Sequence, residues 1–241
     1  HKALQGSPDD LAALALAVQV EAQRGDAAKA DTALKALSSR YANAIETAKA
    51  AADLAMSRAQ YAAAISGYRK LLSREENTDN ALALVNAHMA AGEAGKASAF
   101  LEIWIKSHPD DNRAQRVLAE TQFRAGQLVA AKQSYQRVIA NNPEDAVSLN
   151  NYANLLHQMN DPTARGLAER ALKLVPNNPV YGDTLGWILV SKGEVESGLR
   201  YLREARLRSP DNVEIRFHLA FALAKIGRKE EAREELSAVL G

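Results

Sequence analysis

Five histidines, His1, His88, His108, His157 and His218, are the side chains of this 241-residue sequence best able to exchange protons or hold a metal at neutral pH. No two stand in a His-Glu-x-x-His run or at another spacing that would put two imidazoles on one ion. There is no cysteine, so thiolate ligands, Cys nucleophiles and disulfides are excluded. The carboxylate pairs Asp110-Asp111 and Glu230-Glu231 fall at loops or helix starts, where negative charge complements the helix dipole. No G-x-S-x-G, P-loop or G-x-G-x-x-G run occurs. Without a nucleophile, base and orienting group in one constellation, the sequence reads as non-enzymatic, with no catalytic, metal-binding or cofactor-binding residue and no cofactor.

Charge gives little more. Thirty Lys and Arg nearly cancel 29 Asp and Glu, so no global field would gather nucleic acid, which is excluded as a partner. Arg200, Arg203, Arg206 and Arg208 partly share a helix face, which is either a local basic strip or a solvated outer surface. The longest apolar run, Leu11 to Val18, is far short of the roughly 20 residues that span a bilayer, so no transmembrane segment is expected.

The elements that position these residues emerge from a period. Pro109, Pro143, Pro176 and Pro210 lie 34, 33 and 34 residues apart, each after an amphipathic stretch. Gly25, Gly92, Gly126, Gly193 and Gly227 share that grid as helix stops. Small residues recur in a first helix (Val18, Ala52, Val85, Ala119, Ala153, Gly186, Ala220) and in a second (Ala30, Ala64, Ala97, Ala131, Ala164, Gly198, Ala232), which lets paired helices approach closely. The second repeat carries Ala59 in place of glycine. In the fifth, the turn MNDPTA (159–164) is one residue short, with Asp161 expected to cap the next helix and Pro162 to occupy its first turn.

These coincident grids resemble the tetratricopeptide repeat family from end to end, best in VLAETQFRAGQLVAAKQSYQRVIANNP (117–143) and TLGWILVSKGEVESGLRYLREARLRSP (184–210). The resemblance implies an all-α fold, a right-handed α-solenoid or superhelix of seven helix–turn–helix units near 11–44, 45–77, 78–111, 112–145, 146–178, 179–212 and 213–241. Residues 11–241 are then one solenoid. Residues 1–10 match the end of a preceding repeat whose first helix is missing, so a longer parent chain is expected.

The family resemblance also implies that first helices line a concave groove that binds a protein or peptide segment. Carried onto the 3.6-residue period, the groove positions are Arg113, Arg116, Glu120, Asn150, Asn154, His157, Asp183, Trp187, Phe217 and Phe221, with Phe123 nearby and Gln19, Lys49, Asp53, Asn86 and Met89 in earlier repeats. Trp187 and Phe221 are equivalent positions 34 residues apart and stack side by side on a solenoid. Two readings of Trp187 stay open: it faces the groove, or it packs between adjacent first helices. The Lys/Asn set of repeats that clamp a terminal carboxylate is not supplied by three successive repeats.

LNNYANLLHQMNDPTARGLAERALKLVPNNPVYGDTLGWILVSKG, followed by IRFHLAFALAKIG (215–227), resembles the C-terminal region of the tetratricopeptide lipoproteins of bacterial exosortase and exopolysaccharide systems. That implies a non-catalytic scaffold in the periplasm, anchored to the outer membrane through a lipid-bearing Cys upstream. A cytoplasmic location is the alternative. Alternative roles are a groove that takes polysaccharide directly, with Trp187 and Phe221 stacking on sugar rings, and a spacer or oligomerisation module.

Overall fold

The computed structural model describes residues 10–240, with side chains through Ser237; the expected end of a preceding repeat therefore falls almost wholly outside the described residues. Among the described residues the chain is entirely helical and turn, and it forms two compact units that divide between Ala125 and Gly126. The first unit holds α1 (Leu11–Gln23), α2 (Ala27–Arg40), α3 (Ile45–Ser57), α4 (Tyr61–Arg74), α5 (Thr78–Ala90), α6 (Ala94–Ser107) and α7 (Asn112–Arg124). The second holds α8 (Leu128–Asn141), α9 (Ala146–Gln158), α10 (Ala164–Leu174), α11 (Pro179–Ser191), α12 (Val195–Arg208), α13 (Val213–Lys225) and α14 (Lys229–Leu240).

Within each unit consecutive helices pair, and each second helix also packs against the next first helix. Successive first helices touch as well, α1 with α3, α5 with α7, α9 with α11 and α11 with α13. This is the helix pairing of an α-solenoid of tetratricopeptide type, and six of the expected repeats place both their helices in one unit. The fourth, 112–145, contributes α7 to the first unit and α8 to the second.

The small-residue grids form the helix contacts. Ala30, Ala64, Ala97, Ala131 and Ala164 are fully buried. In the sixth repeat both partners are glycine: a Cβ on Gly198 would sit 2.6 Å from the Gly186 carbonyl oxygen and 2.6 Å from Val190 Cγ2. α11 and α12 therefore meet backbone to backbone, and an alanine at 198 would push them apart. The five grid glycines all carry positive φ, between +72° and +88°. Ala59 (φ 56°) and Asn160 (φ 57°) take the same left-handed conformation in the two repeats that lack glycine. The turn is imposed by the helix pair on either side, so a residue with a Cβ adopts it at a cost of roughly 1–2 kcal/mol.

The short fifth turn differs from expectation. Pro162 lies outside α10, which begins only at Ala164 and has Thr163 at its cap position. Asp161 instead accepts from the Thr163 amide (3.0 Å) and hydroxyl (2.6 Å), and its other oxygen takes Lys132 Nζ of α8 at 2.9 Å. The Thr163 hydroxyl and then Lys132 hold this carboxyl far below its usual range. The missing residue is absorbed by shortening α10 to 11 residues, against 12 to 14 elsewhere.

Candidate functional site: an aromatic face on α11 and α13

α11 and α13 are set by matching starts. Asn178 accepts from the Val180 and Tyr181 amides with Pro179 in the first turn, and Asn212 accepts from the Glu214 and Ile215 amides. From Tyr181 to Val190 every residue is buried except Trp187, which is half-buried. One face of its indole is covered by His218 of α13, stacked at 4.2 Å and 15°. Phe221 meets it edge-on at 5.1 Å and 71°. Trp187 thus packs between adjacent first helices and remains partly accessible.

His218 is held in turn by Asp183 of α11. Its Nδ1 lies 3.0 and 2.9 Å from the two carboxylate oxygens, and the two side chains are only 12% and 8% exposed. A carboxylate can only accept, which puts the proton on Nδ1 and fixes the ring plane against Trp187. Phe217 (50% exposed) and Phe221 (40%) extend the aromatic surface to solvent, and Lys225 Nζ stands 5.2 Å over the Phe221 ring. The Trp187 indole N–H has no partner among the described residues, although a confined indole N–H normally finds one.

The contacts follow a diagonal rule set by the repeat. Position 184 on α11 is equivalent to 218 on α13, and 154 on α9 to 187 on α11. Asn154 Nδ2 donates to Thr184 Oγ1 at 3.3 Å, just as Trp187 meets His218. His218 and Thr184 were not among the sequence-derived groove positions. The signal was present, because each lies one residue after an expected groove position or its equivalent, but it required the offset between neighbouring first helices.

Two expected groove residues do not reach an open surface. Asp183 (5% exposed) is spent on His218, and Asn150 (2% exposed) is buried with its Oδ1 unpartnered. His157 is part-buried; burial, then the nearby Lys192 and His218 charges, push its imidazole below the ordinary range. In the first unit Arg113 pairs with Asp79 of α5 at 2.8 Å, and Arg116 lies 3.9 Å from Glu120 on the same helix. The arginines of α12 are taken up structurally: Arg206 bonds Glu235 at 2.8 Å, Arg208 bonds Glu204 at 3.0 Å, and Arg200 lies over Tyr201.

Among the described residues no group of three or more His, Cys, Asp or Glu side chains could hold a metal ion, and no helix is long and apolar enough to cross a membrane. His218 and Asp183 resemble two members of a hydrolytic triad, yet His218 bonds no described hydroxyl. The arrangement is an aromatic surface on α11 and α13 whose histidine is held by Asp183.

Models of the tetratricopeptide repeat match residues 55–121 and 189–241, residues 114–145 and residues 134–164. The matched stretches cover well over half the sequence, and the chain belongs to the tetratricopeptide repeat family, a fold that generally serves as a protein-interaction scaffold. A TPR repeat-containing protein of Pseudomonas aeruginosa is 31% identical over 156 residues, 61% of this chain and 26% of that protein. The chain thus spans about a quarter of the length of the curated relative it matches. A tetratricopeptide repeat protein of Parabacteroides merdae superposes with a TM-score of 0.73 at 13% identity, covering 95% of this chain and 91% of that one. MamA of Desulfovibrio magneticus gives 0.59 at 16% identity over 66% of this chain and 91% of its own. YrrB, described as a TPR protein with an unusual peptide-binding site, gives 0.55 at 16% identity over 72% and 90%. At these identities the likeness is one of fold.

Proposed function

We propose that this chain holds a protein or peptide segment against the aromatic face of α11 and α13. The observation that carries the reading is the half-covered Trp187, locked by the His218–Asp183 pair, with an unused N–H and two exposed phenylalanines beside it. Rigid aromatics supply contact area at small entropic cost, and the N–H can meet a backbone carbonyl of the segment. The peptide-binding site named for YrrB is consistent with such a use of the fold. Polysaccharide is disfavoured, because a sugar ring stacks on an open aromatic face and His218 already covers one face of Trp187. The setting we propose, on the resemblance of the last hundred residues, is a bacterial envelope exopolysaccharide or protein-sorting system, with the scaffold in the periplasm.

A second reading rests on the diagonal rule. Phe217 and Phe221 are the equivalents of Asp183 and Trp187, which α13 covers, so the same surface suits a helix of a second copy. Titration with a peptide library and with exopolysaccharide oligomers, following the fluorescence lost in Trp187→Phe, separates the classes. Peptide binding with a monomer by light scattering supports the scaffold reading. Concentration-dependent dimers abolished by Phe217→Ala support the second, and sugar binding alone contradicts both.

A further inference from the structure

Between α1 and α3 lies a groove of about 490 Å³, floored by Ala12, Ala15, Leu16, Ala22, Ala50 and Leu54. In the repeat register Ala15 and Gln19 of α1 are equivalent to Asp183 and Trp187 of α11, and Ala50 of α3 is equivalent to His218 of α13. All three of these α1 and α3 residues line the groove. The space that Trp187 and His218 fill between α11 and α13 is open between α1 and α3, where Gln19 stands in place of the indole and alanines stand in place of Asp183 and His218.

The rim sets the charge of what would enter. Lys49 Nζ and Asp53 Oδ2 neutralise one another at 3.0 Å, and Tyr68 donates to the other Asp53 oxygen at 2.6 Å. Glu46 is exposed and pairs with no described cation, so the lining carries one unbalanced negative charge.

We infer that this groove is a second recognition site, distinct from the aromatic face, which takes an aromatic side chain flanked by a cationic group from a partner segment. The ring lies on the alanine floor beside Gln19, which stands where the sixth repeat has its indole, and the cation meets Glu46. The volume falls in the range of small-ligand pockets, and an apolar floor with few polar groups is their usual chemistry.

Tryptamine, an indole bearing an ammonium group, is the direct probe, and indole-3-acetate, its charge-reversed counterpart, is the control. With the full chain labelled at alanine methyl groups, tryptamine should produce saturable shifts at Ala12, Ala15, Ala22 and Ala50 and bind more tightly than indole-3-acetate. Glu46→Gln should weaken tryptamine about two- to fivefold, the range of an exposed ion pair, and remove that preference. Ala15→Leu, at a half-buried position, should abolish the shifts while helix content is unchanged, and Ala50→Leu fills the groove from the other side. Absence of saturable shifts, equal binding of indole-3-acetate, or undiminished binding by folded Ala15→Leu would overturn the inference. Trp187→Ala should leave tryptamine binding here unchanged, so this site and the aromatic face stand or fall separately.

Discussion

Each unit of the molecule contains a tryptophan stacked on a histidine near an aspartate, and the two sets do opposite things. In the first unit Trp104 of α6 stacks on His108 at 3.9 Å, and its N–H donates to Asp111 at 2.8 Å. Asp111 also caps α7 through the Ala114 amide and accepts from Thr78, and Trp104 is only 5% exposed. The indole N–H is satisfied, and the Trp104–Asp111 bond spans seven residues and ties α6 to the start of α7. In the second unit the same residue types come from helices some thirty residues apart. There the aspartate goes to the histidine, and the tryptophan N–H is left unused beside exposed phenylalanines. Residue type therefore does not decide between joint and binding surface. The allocation of the hydrogen bonds does.

The largest expected effect tests the joint. Trp104→Ala should destabilise the protein by about 3–5 kcal/mol, since it opens a cavity and takes one of three donors from Asp111, which chemical denaturation followed by circular dichroism would measure. Trp187→Ala should lower stability less, because the side chain is half-exposed, but weaken a bound peptide about thirtyfold, near the 2 kcal/mol of an interface hot spot. If the two variants lost stability and binding equally, the distinction between joint and surface would fail.

Acid should separate the units next. Burial works against ionisation of Asp111, but the Ala114 amide, Trp104 and Thr78 outweigh it and hold its carboxyl low. Its contribution is therefore complete above the ordinary carboxylate range and lost only as pH falls below it. His157 in the second unit has the opposite consequence, as burial, Lys192 and His218 depress its imidazole. The unfolded chain takes up that proton first, so stability is lost as pH falls through the ordinary histidine range, roughly 6.5. The stability difference between wild type and His157→Asn should change over that range, while that between wild type and Asp111→Asn should change only at more acid pH. The smallest effect is local: Ala59→Gly should stabilise the first unit by about 0.5–1 kcal/mol by relieving its left-handed φ.

Much of the fold was legible because prolines, glycines and small residues mark turns and helix contacts one repeat at a time. Those are local requirements, so Gly193 and the Gly186–Gly198 contact could be read directly. Asn160 and Ala59 were less legible, because neighbouring helices force a turn that their own side chains disfavour. The site was legible in part: the period singles out Trp187, Phe217 and Phe221 but leaves open whether Trp187 is exposed or covered. The burial of Asp183 and Asn150, and the part played by His218, do not. They depend on how far one first helix is displaced along the next, a quantity set by packing and carried by no single repeat.

The most direct test of the aromatic face as the binding surface is a displayed-peptide selection on the wild-type chain, with affinities re-measured on a Trp187→Ala, Phe217→Ala double variant of unchanged helix content. The account predicts selected peptides that bind the wild type and lose at least about thirtyfold on the variant. Peptides that bind both equally would contradict it.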